Sequence, residues 1–520
     1  MHASRGCGIL LPLTSLPGSH GIGDLGRSGR EFLDFLREGR QGHWQLLPMG
    51  PVSESGSPYA PLSSYAGNHL LISLDDLVED GILRPSDLGA VPSVPPDSID
   101  YPAVRRFKAD ALLTAYARHG NDSAVRAYRE RESSWLQDYS LFMALRDRYR
   151  RPWNEWPAPV AFRRGPALDR ARDELAAETG FHEFLQYLFW RQYTALKARA
   201  HAYGISVIGD LPMFDAHDSA EVWANQRFYC LNSTGDCDPL VGVPPDYFNE
   251  DGQIWELTPY RWDAIAADGH RFWRARLRHA MGLYDTIRLD HFRGYEAYWQ
   301  IPRDTDPKLG AWAEAPGIEL FDPFLAENPE GEPLPFVAED LGVITPEVDK
   351  LRDGLGIPGT KVLQLAFSEP DSPHHPNNHA LHSVVYTGTH DSNTTVGWWK
   401  GLDTATRTRA AEFLDVDAPC IADELSRLAY RSTANLAILP LQDVLGLDES
   451  ARINVPGVAG ANWRWRITSE ELTSRAAGML SGLAAEHGRE AVAGGRTRQR
   501  PVPEDPPSDS VGRRAPARTR

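Results

Sequence analysis

The chain has 520 residues, 42% of them hydrophobic, with 54 Lys and Arg against 71 Asp and Glu and a formal net charge of −17. That length suits one large barrel domain with insertions, or two or three smaller domains, and the negative charge argues against a general nucleic-acid binder, which needs clustered cations to neutralise phosphates. No run of eighteen apolar residues occurs, and glycines and prolines break up the amino-terminal MHASRGCGILLPL, so neither a membrane span nor a secretory signal is read and a cytoplasmic protein is expected.

Taken in chain order, short apolar runs that end in polar or charged residues begin at Gly8 (GILLPL), Trp44 (WQLLPM), Ser206 (SVIGD) and Thr286 (TIRLD). They continue at Pro335 (PFVAED), Lys361 (KVLQLAF), Ser383 (SVVYTGTHD) and Asn435 (NLAILPLQD). Near-continuous apolar runs suit strands covered on both faces, so these eight read as a buried parallel sheet. Amphipathic stretches between them, such as EFLDFLREG and AEFLDVD, read as crossover helices. The pattern predicts an α/β protein, a (β/α)8 TIM barrel with its chemistry at the carboxyl ends of the strands.

The interval from about residue 70 to 203, with patterns such as EFLQYLFWRQYTALKARAHAY, is too long for one crossover and reads as a largely helical insertion. One domain is therefore expected over residues 1–487. Beyond Gly488 the composition turns to Arg, Pro, Gly and Ser, which predicts a disordered, solvated basic tail over residues 488–520. Four cysteines (Cys7, Cys230, Cys237, Cys420) give neither a disulfide framework nor zinc spacing. Fifteen Trp and eighteen Tyr mostly fill core, but some such rings can stack on sugar faces. A neutral substrate fits the charge better than a polyanion.

In TIRLDHFRG, Arg288 and Asp290 lie two apart on a predicted strand and so project to the same face at its carboxyl end. A neighbouring guanidinium favours the ionised carboxylate that a glycosyl nucleophile requires, although an isolated R-x-D more often marks a structural ion pair. In FVAEDLG, Glu339 or Asp340 ends another strand, and one of them would complete the carboxyl pair that retaining glycoside chemistry uses. Alternation turns one of the two away from the cleft, and spacing alone leaves the choice open. In YTGTHDSN, His390 and Asp391 end a third run. A third carboxylate there could hold sugar hydroxyls in the transition state, or cap the following helix.

With GILLPLTSLPGSHGIGDLG, GSPYAPLSSYAGN, GDLPMFDAHDSAEVWAN, GVPPDYF, DTIRLDHFRGYEAYW, FVAEDLGVITPEV, GTKVLQLAF, YTGTHDSNTT, LPLQDVLGL and ARINVPG in this order, the chain closely resembles the 4-α-glucanotransferases called amylomaltases, glycoside hydrolase family 77. The resemblance runs from about Gly8 to Ile467. It implies transfer of α-1,4-glucan segments to the 4-hydroxyl of glucose or another glucan, through a covalent intermediate. Asp290 is then the nucleophile, Glu339 the acid/base and Asp391 the transition-state stabiliser, supported by Arg288, His291 and His390. It further implies sugar-facing roles for Asp210, Tyr59 and Trp255, and a loop at GVPPDYFNEDGQ around Asp246. No cofactor and no metal are implied. Water in place of the acceptor would make an amylase-type hydrolase instead, and loss of chemistry would leave a glucan-binding protein.

Three departures from the family pattern stand out: PLTSLP for HPTSLP, WELT for WGNP at Trp255–Thr258, and HDSN for HDND. The second replaces a Gly and an Asn beside the substrate loop, so altered chain-length preference is expected. The histidines of HHPNNH (His374 to His379) lack fixed partner ligands, which argues against a metal site. GIGDLG is not a dinucleotide fingerprint, because it lacks G-x-G-x-x-G between a strand and a helix.

Overall fold

Each of the eight apolar runs contributes to a strand of one parallel sheet in the computed structural model, although KVLQLAF does so only through Lys361 and Val362, with Leu363–Leu365 a 3-10 helix. The structure describes residues 5–491 apart from 92, 246–249, 329–331, 370, 415–420, 459 and 461. The strands are β1 (Gly6–Leu10), β2 (His43–Gln45), β3 (Ser206–Leu211), β4 (Thr286–Leu289), β5 (Phe336–Ala338), β6 (Gly359–Val362), β7 (Ser383–Tyr386) and β8 (Leu436–Pro440). Their order, β5-β4-β3-β2-β1-β8-β7-β6, is that of a barrel. The gap between β5 and β6 is bridged by Ala338 N–H to the Pro358 carbonyl at 2.9 Å and by the Thr360 hydroxyl to the Ala338 carbonyl at 2.8 Å.

Alternation along each strand sorts the side chains into two cores. Leu10, Ile208, Val337, Val384, Tyr386 and Ile438 fill the barrel interior, while residues one step away, such as Ile9, Val207, Ile287 and Leu289, pack under the surrounding helices. Gly8 lets β1 and β2 close up, since a Cβ there would lie 2.5 Å from the His43 carbonyl oxygen.

The stretch expected to be a helical insertion carries helices Leu74–Glu79, Tyr101–His119, Ser123–Arg131, Ser133–Tyr149, Gly165–Glu174 and Ala176–Ala202. The last packs on β3 and on helix Arg27–Glu38 and so also serves as the barrel crossover. A second elaboration was not expected from the sequence. Strands Leu240–Val243, Gln253–Trp255, Ala297–Ile301 and Ala311–Glu314 build an antiparallel sheet over the barrel mouth. Its strands are short, and its two local pairs join only through Leu240–Val243 against Ala297–Ile301, distant in the chain, so local alternation does not announce the sheet.

The expected tail lies outside the described residues from 492 onward, but its first residues do not behave as tail. Arg489 is fully buried and donates from all three guanidinium nitrogens to the carbonyls of Tyr430, Gly6, Asn435, Ser432 and Ala434. Among the described residues no helix is long and apolar enough to cross a membrane.

Candidate active site

The carboxyl ends of β3, β4, β5 and β7 bring the acidic motifs together. Because Asp210 pairs in register with Arg288, and Ala338 with Leu289, the next step along β4 and β5 sets Asp290 beside Glu339. Interior parity runs through Ile208 and Asp210 on β3, Arg288 and Asp290 on β4, and Val337 and Glu339 on β5. Asp340 has the opposite parity. Its two oxygens accept from Thr360 N–H at 2.6 Å and from Arg352 at 2.7 Å, outside the barrel mouth.

His291, directly after Asp290, adopts left-handed φ at +48°, a conformation costing a non-glycine residue roughly 1–2 kcal/mol. The turn aims its backbone N–H at Glu339 Oε2, 2.8 Å away, and Phe292 N–H bonds the Glu339 carbonyl at 3.0 Å. Strain at this position thus ties the end of β4 to the end of β5.

One guanidinium serves the cluster. Arg288 Nη1 lies 2.8 and 2.7 Å from the two oxygens of Asp210 and 2.7 Å from Asp290 Oδ1. Exposure separates the layers: Arg288 and Asp210 are 4% and 2% exposed as residues, whereas the Asp290 and Asp391 side chains are 23% and 35% exposed. Asp210, expected to face sugar, is thus buried below the two partly exposed carboxylates. It sits beneath Arg288, accepting from it through both oxygens, and accepts from the Tyr59 hydroxyl at 2.8 Å, which takes most of its acceptor positions. Arg288 and His390 are likewise buried behind the carboxylates rather than open to sugar.

On β7's side, His390 Nε2 lies 3.2 Å from Asp391 Oδ2, and its ring stacks on Tyr59 with centroids 5.0 Å apart at 14°. Helix Thr395–Gly401 is capped by Thr394, whose hydroxyl accepts from Gly397 N–H, so Asp391 is not its cap. Asn454 donates to Asp391 Oδ1 at 2.6 Å and Arg452 to its carbonyl at 2.9 Å. The sequence reading assigned no role to either residue, nor to Trp463, whose ring meets those of Tyr59 and His390. The only sequence signal was that ARINVPG belongs to the shared segments; the contact itself spans 63 residues.

Charge follows from this geometry. Burial, reinforced by Asp290 and Asp391, raises Glu339 well above the ordinary carboxylate range against the pull of Arg288 and the His291 N–H. Burial pushes Asp210 up to about 6, with Asp290 adding to it and Arg288 opposing. At Asp391 burial raises too, but His390 and the Asn454 amide outweigh it and hold the carboxyl below its usual range. Burial lowers His291 to about 4, so its ring is neutral near pH 7. Four carboxyl groups face one buried guanidinium, and Glu339 is the member that keeps its proton.

Trp255 ends its strand with its ring edge-on to His291, centroids 4.9 Å apart. In the departing WELT segment, Leu257–Thr258 pairs antiparallel with Asp215–Ala216. Thr258 supplies there a backbone N–H that a proline lacks. Asp246 lies outside the described residues. In the HHPNNH run, His374 Nδ1 is 3.3 Å from the Val362 N–H, and the nitrogens of His379 lie 2.7 and 2.8 Å from the Ser432 hydroxyl and the His374 carbonyl. Among the described residues no group of three or more His, Cys, Asp or Glu could hold a metal ion.

A (β/α)8 barrel with paired carboxyls, a third carboxylate and stacked rings at its mouth defines a class, the barrel enzymes of glycosidic-bond chemistry. A profile of glycoside hydrolase family 77, 4-alpha-glucanotransferase, matches residues 11–473. The chain belongs to this family and is an enzyme of the 4-α-glucanotransferase type. It is 44% identical to the 4-alpha-glucanotransferase of Thermus thermophilus over 501 residues, covering 93% of this chain and 99% of the relative. With the Synechocystis enzyme of the same name it shares 42% over 501 residues, 93% of this chain and 98% of that one. The solved amylomaltase from Streptococcus agalactiae in complex with acarbose superposes with a TM-score of 0.90 at 32% identity, covering 94% of this chain and all of the other.

Proposed function

We propose that this enzyme redistributes α-1,4-linked glucans by a retaining double displacement at the β4–β5 carboxyl pair. Asp290 attacks the anomeric carbon while Glu339 gives its proton to the departing glucosidic oxygen, releasing a shortened glucan and leaving a glucosyl ester on Asp290. Asp391 holds sugar hydroxyls as positive charge develops on the ring. Glu339, now ionised, takes the proton of an incoming glucan 4-hydroxyl, whose oxygen displaces Asp290 and restores an α linkage. Two inversions give retention, and the number of glucosidic bonds is unchanged.

The observation that carries this reading is the cross-strand neighbourhood of Asp290, paired to Arg288, and Glu339, whose proton is retained by burial and by neighbouring negative charge. Likeness to enzymes named 4-alpha-glucanotransferase supports glucan as donor and acceptor, and Tyr59 and Trp255 offer partly exposed rings for sugar faces.

Incubation with maltotriose tests it. Glucose and longer oligomers at constant total reducing ends, absent in Asp290→Ala and with turnover down at least ~10⁴-fold, are expected. Rising reducing ends would mean that water wins the intermediate and the enzyme is a hydrolase. Binding without turnover in the wild type would leave only a glucan-binding protein.

A further inference from the structure

The segment from Thr387 to Thr395 carries His390 and Asp391, and both of its ends are held by one buried side chain in the short helix Leu441–Val444 that follows β8. Asp443, just past β8 and 2% exposed, accepts from the Thr387 hydroxyl through Oδ2 and from the Thr395 N–H through Oδ1, the latter at 2.7 Å. Thr387 directly follows β7 and Thr395 opens the next helix, so these two bonds fix where the loop leaves the barrel and where it returns. Gln364 braces the middle, donating to the Asn393 carbonyl at 2.8 Å and from its backbone to the Thr387 carbonyl at 3.1 Å.

Among the described residues no lysine or arginine pairs with Asp443. A buried carboxyl without a cation is an expensive way to hold a loop, and burial raises its pKa accordingly. An apolar side chain would pack such a site at lower cost, but it could not accept two converging donors. From this arrangement we infer that Asp443 is a positioning residue for glucan transfer, acting through Asp391 by clamping the β7 loop at both ends.

This inference rests on the stabilising role proposed for Asp391, and the test separates the two. Asp443→Ala is expected to lower kcat about 100-fold with KM for maltotriose changed less than twofold, the loss typical of an ångström-scale misplacement. Thr387→Val, which removes one of the two bonds at equal volume, is expected to lose about 10-fold. Asp443→Asn, which can still accept from Thr395 N–H while its amide meets the Thr387 oxygen, should recover most of the rate. In an Asp391→Asn background, adding Asp443→Ala should cost less than a further twofold in kcat, because the group it positions is already disabled. Full additivity in that cycle, or an unchanged kcat in folded Thr387→Val, would overturn the inference. An unchanged kcat in Asp391→Asn alone would instead overturn the proposed role of Asp391. Should Asp443→Ala not fold, Thr387→Val and Asp443→Asn decide the matter, since both keep the side-chain volume of the site.

Discussion

Two buried arginines at opposite ends of the barrel do opposite work. At the floor, Arg489 spends its N–H groups on five main-chain carbonyls around the amino ends of β1 and β8, and burial beside Arg5 lowers it only to about 10, so it stays charged and satisfied. At the mouth, Arg288 is shared between Asp210 and Asp290, with Glu339 and Asp391 close enough to perturb each other. The floor is over-supplied with acceptors that carry no net charge, whereas the mouth crowds anions around a single cation. Satisfied hydrogen bonds make the floor a stability device, while unbalanced charge makes the mouth costly and chemically able.

Variants can break that contrast, the strongest first. Glu339→Gln should cut turnover on maltotriose by 10²–10⁴-fold, yet leave urea stability at pH 8 equal to or above wild type, because a carboxyl that resists ionising is replaced by a neutral amide. Wild-type kcat should fall as pH rises through the raised pKa of Glu339, since the donor must hold a proton to give it. An alkaline limb within the ordinary range of about 4–5 would show that the mouth is not charged as described. Arg489→Ala should do the reverse, lowering stability by roughly 3 kcal/mol through unpaired buried carbonyls with kcat at 25 °C unchanged. A loss of kcat at equal stability would erase the distinction between floor and mouth. The smallest effect is expected from Glu256→Gly with Leu257→Asn, which loosens the Leu257–Thr258 ladder beside Trp255 and should shift the product ladder by a few glucose units without changing total turnover; an identical ladder would mean the WELT segment leaves acceptor choice alone.

Much of this was legible in the chain. Eight apolar runs marked the eight strands, although only the start of KVLQLAF is strand, because a strand buried on both faces leaves a local signature that needs no partner to be read. Arg288 and Asp290 could be set on one face from their spacing alone, and both lie there. The choice between Glu339 and Asp340 was open in the sequence and came from the family resemblance. In the fold, barrel parity turns Glu339 inward, while the Arg352 and Thr360 bonds occupy Asp340 on the other side.

Other features required the folded chain. Asp210 was expected to face sugar and is buried, because depth below a barrel rim depends on what the neighbouring loops cover. Asn454, Arg452 and Asp443 reach the β7 loop from more than 45 residues away, and Arg489 was taken for tail because its composition says nothing of the carbonyls waiting at the barrel floor. Sequence by itself determined what each segment can do locally: which runs can be strands, and which strand ends bear carboxyls. Tertiary structure alone decided which of those carboxyls share a cation, which keeps a proton and which arginine fills the barrel floor, since desolvation and hydrogen-bond partners are set by residues distant in sequence and adjacent only after folding.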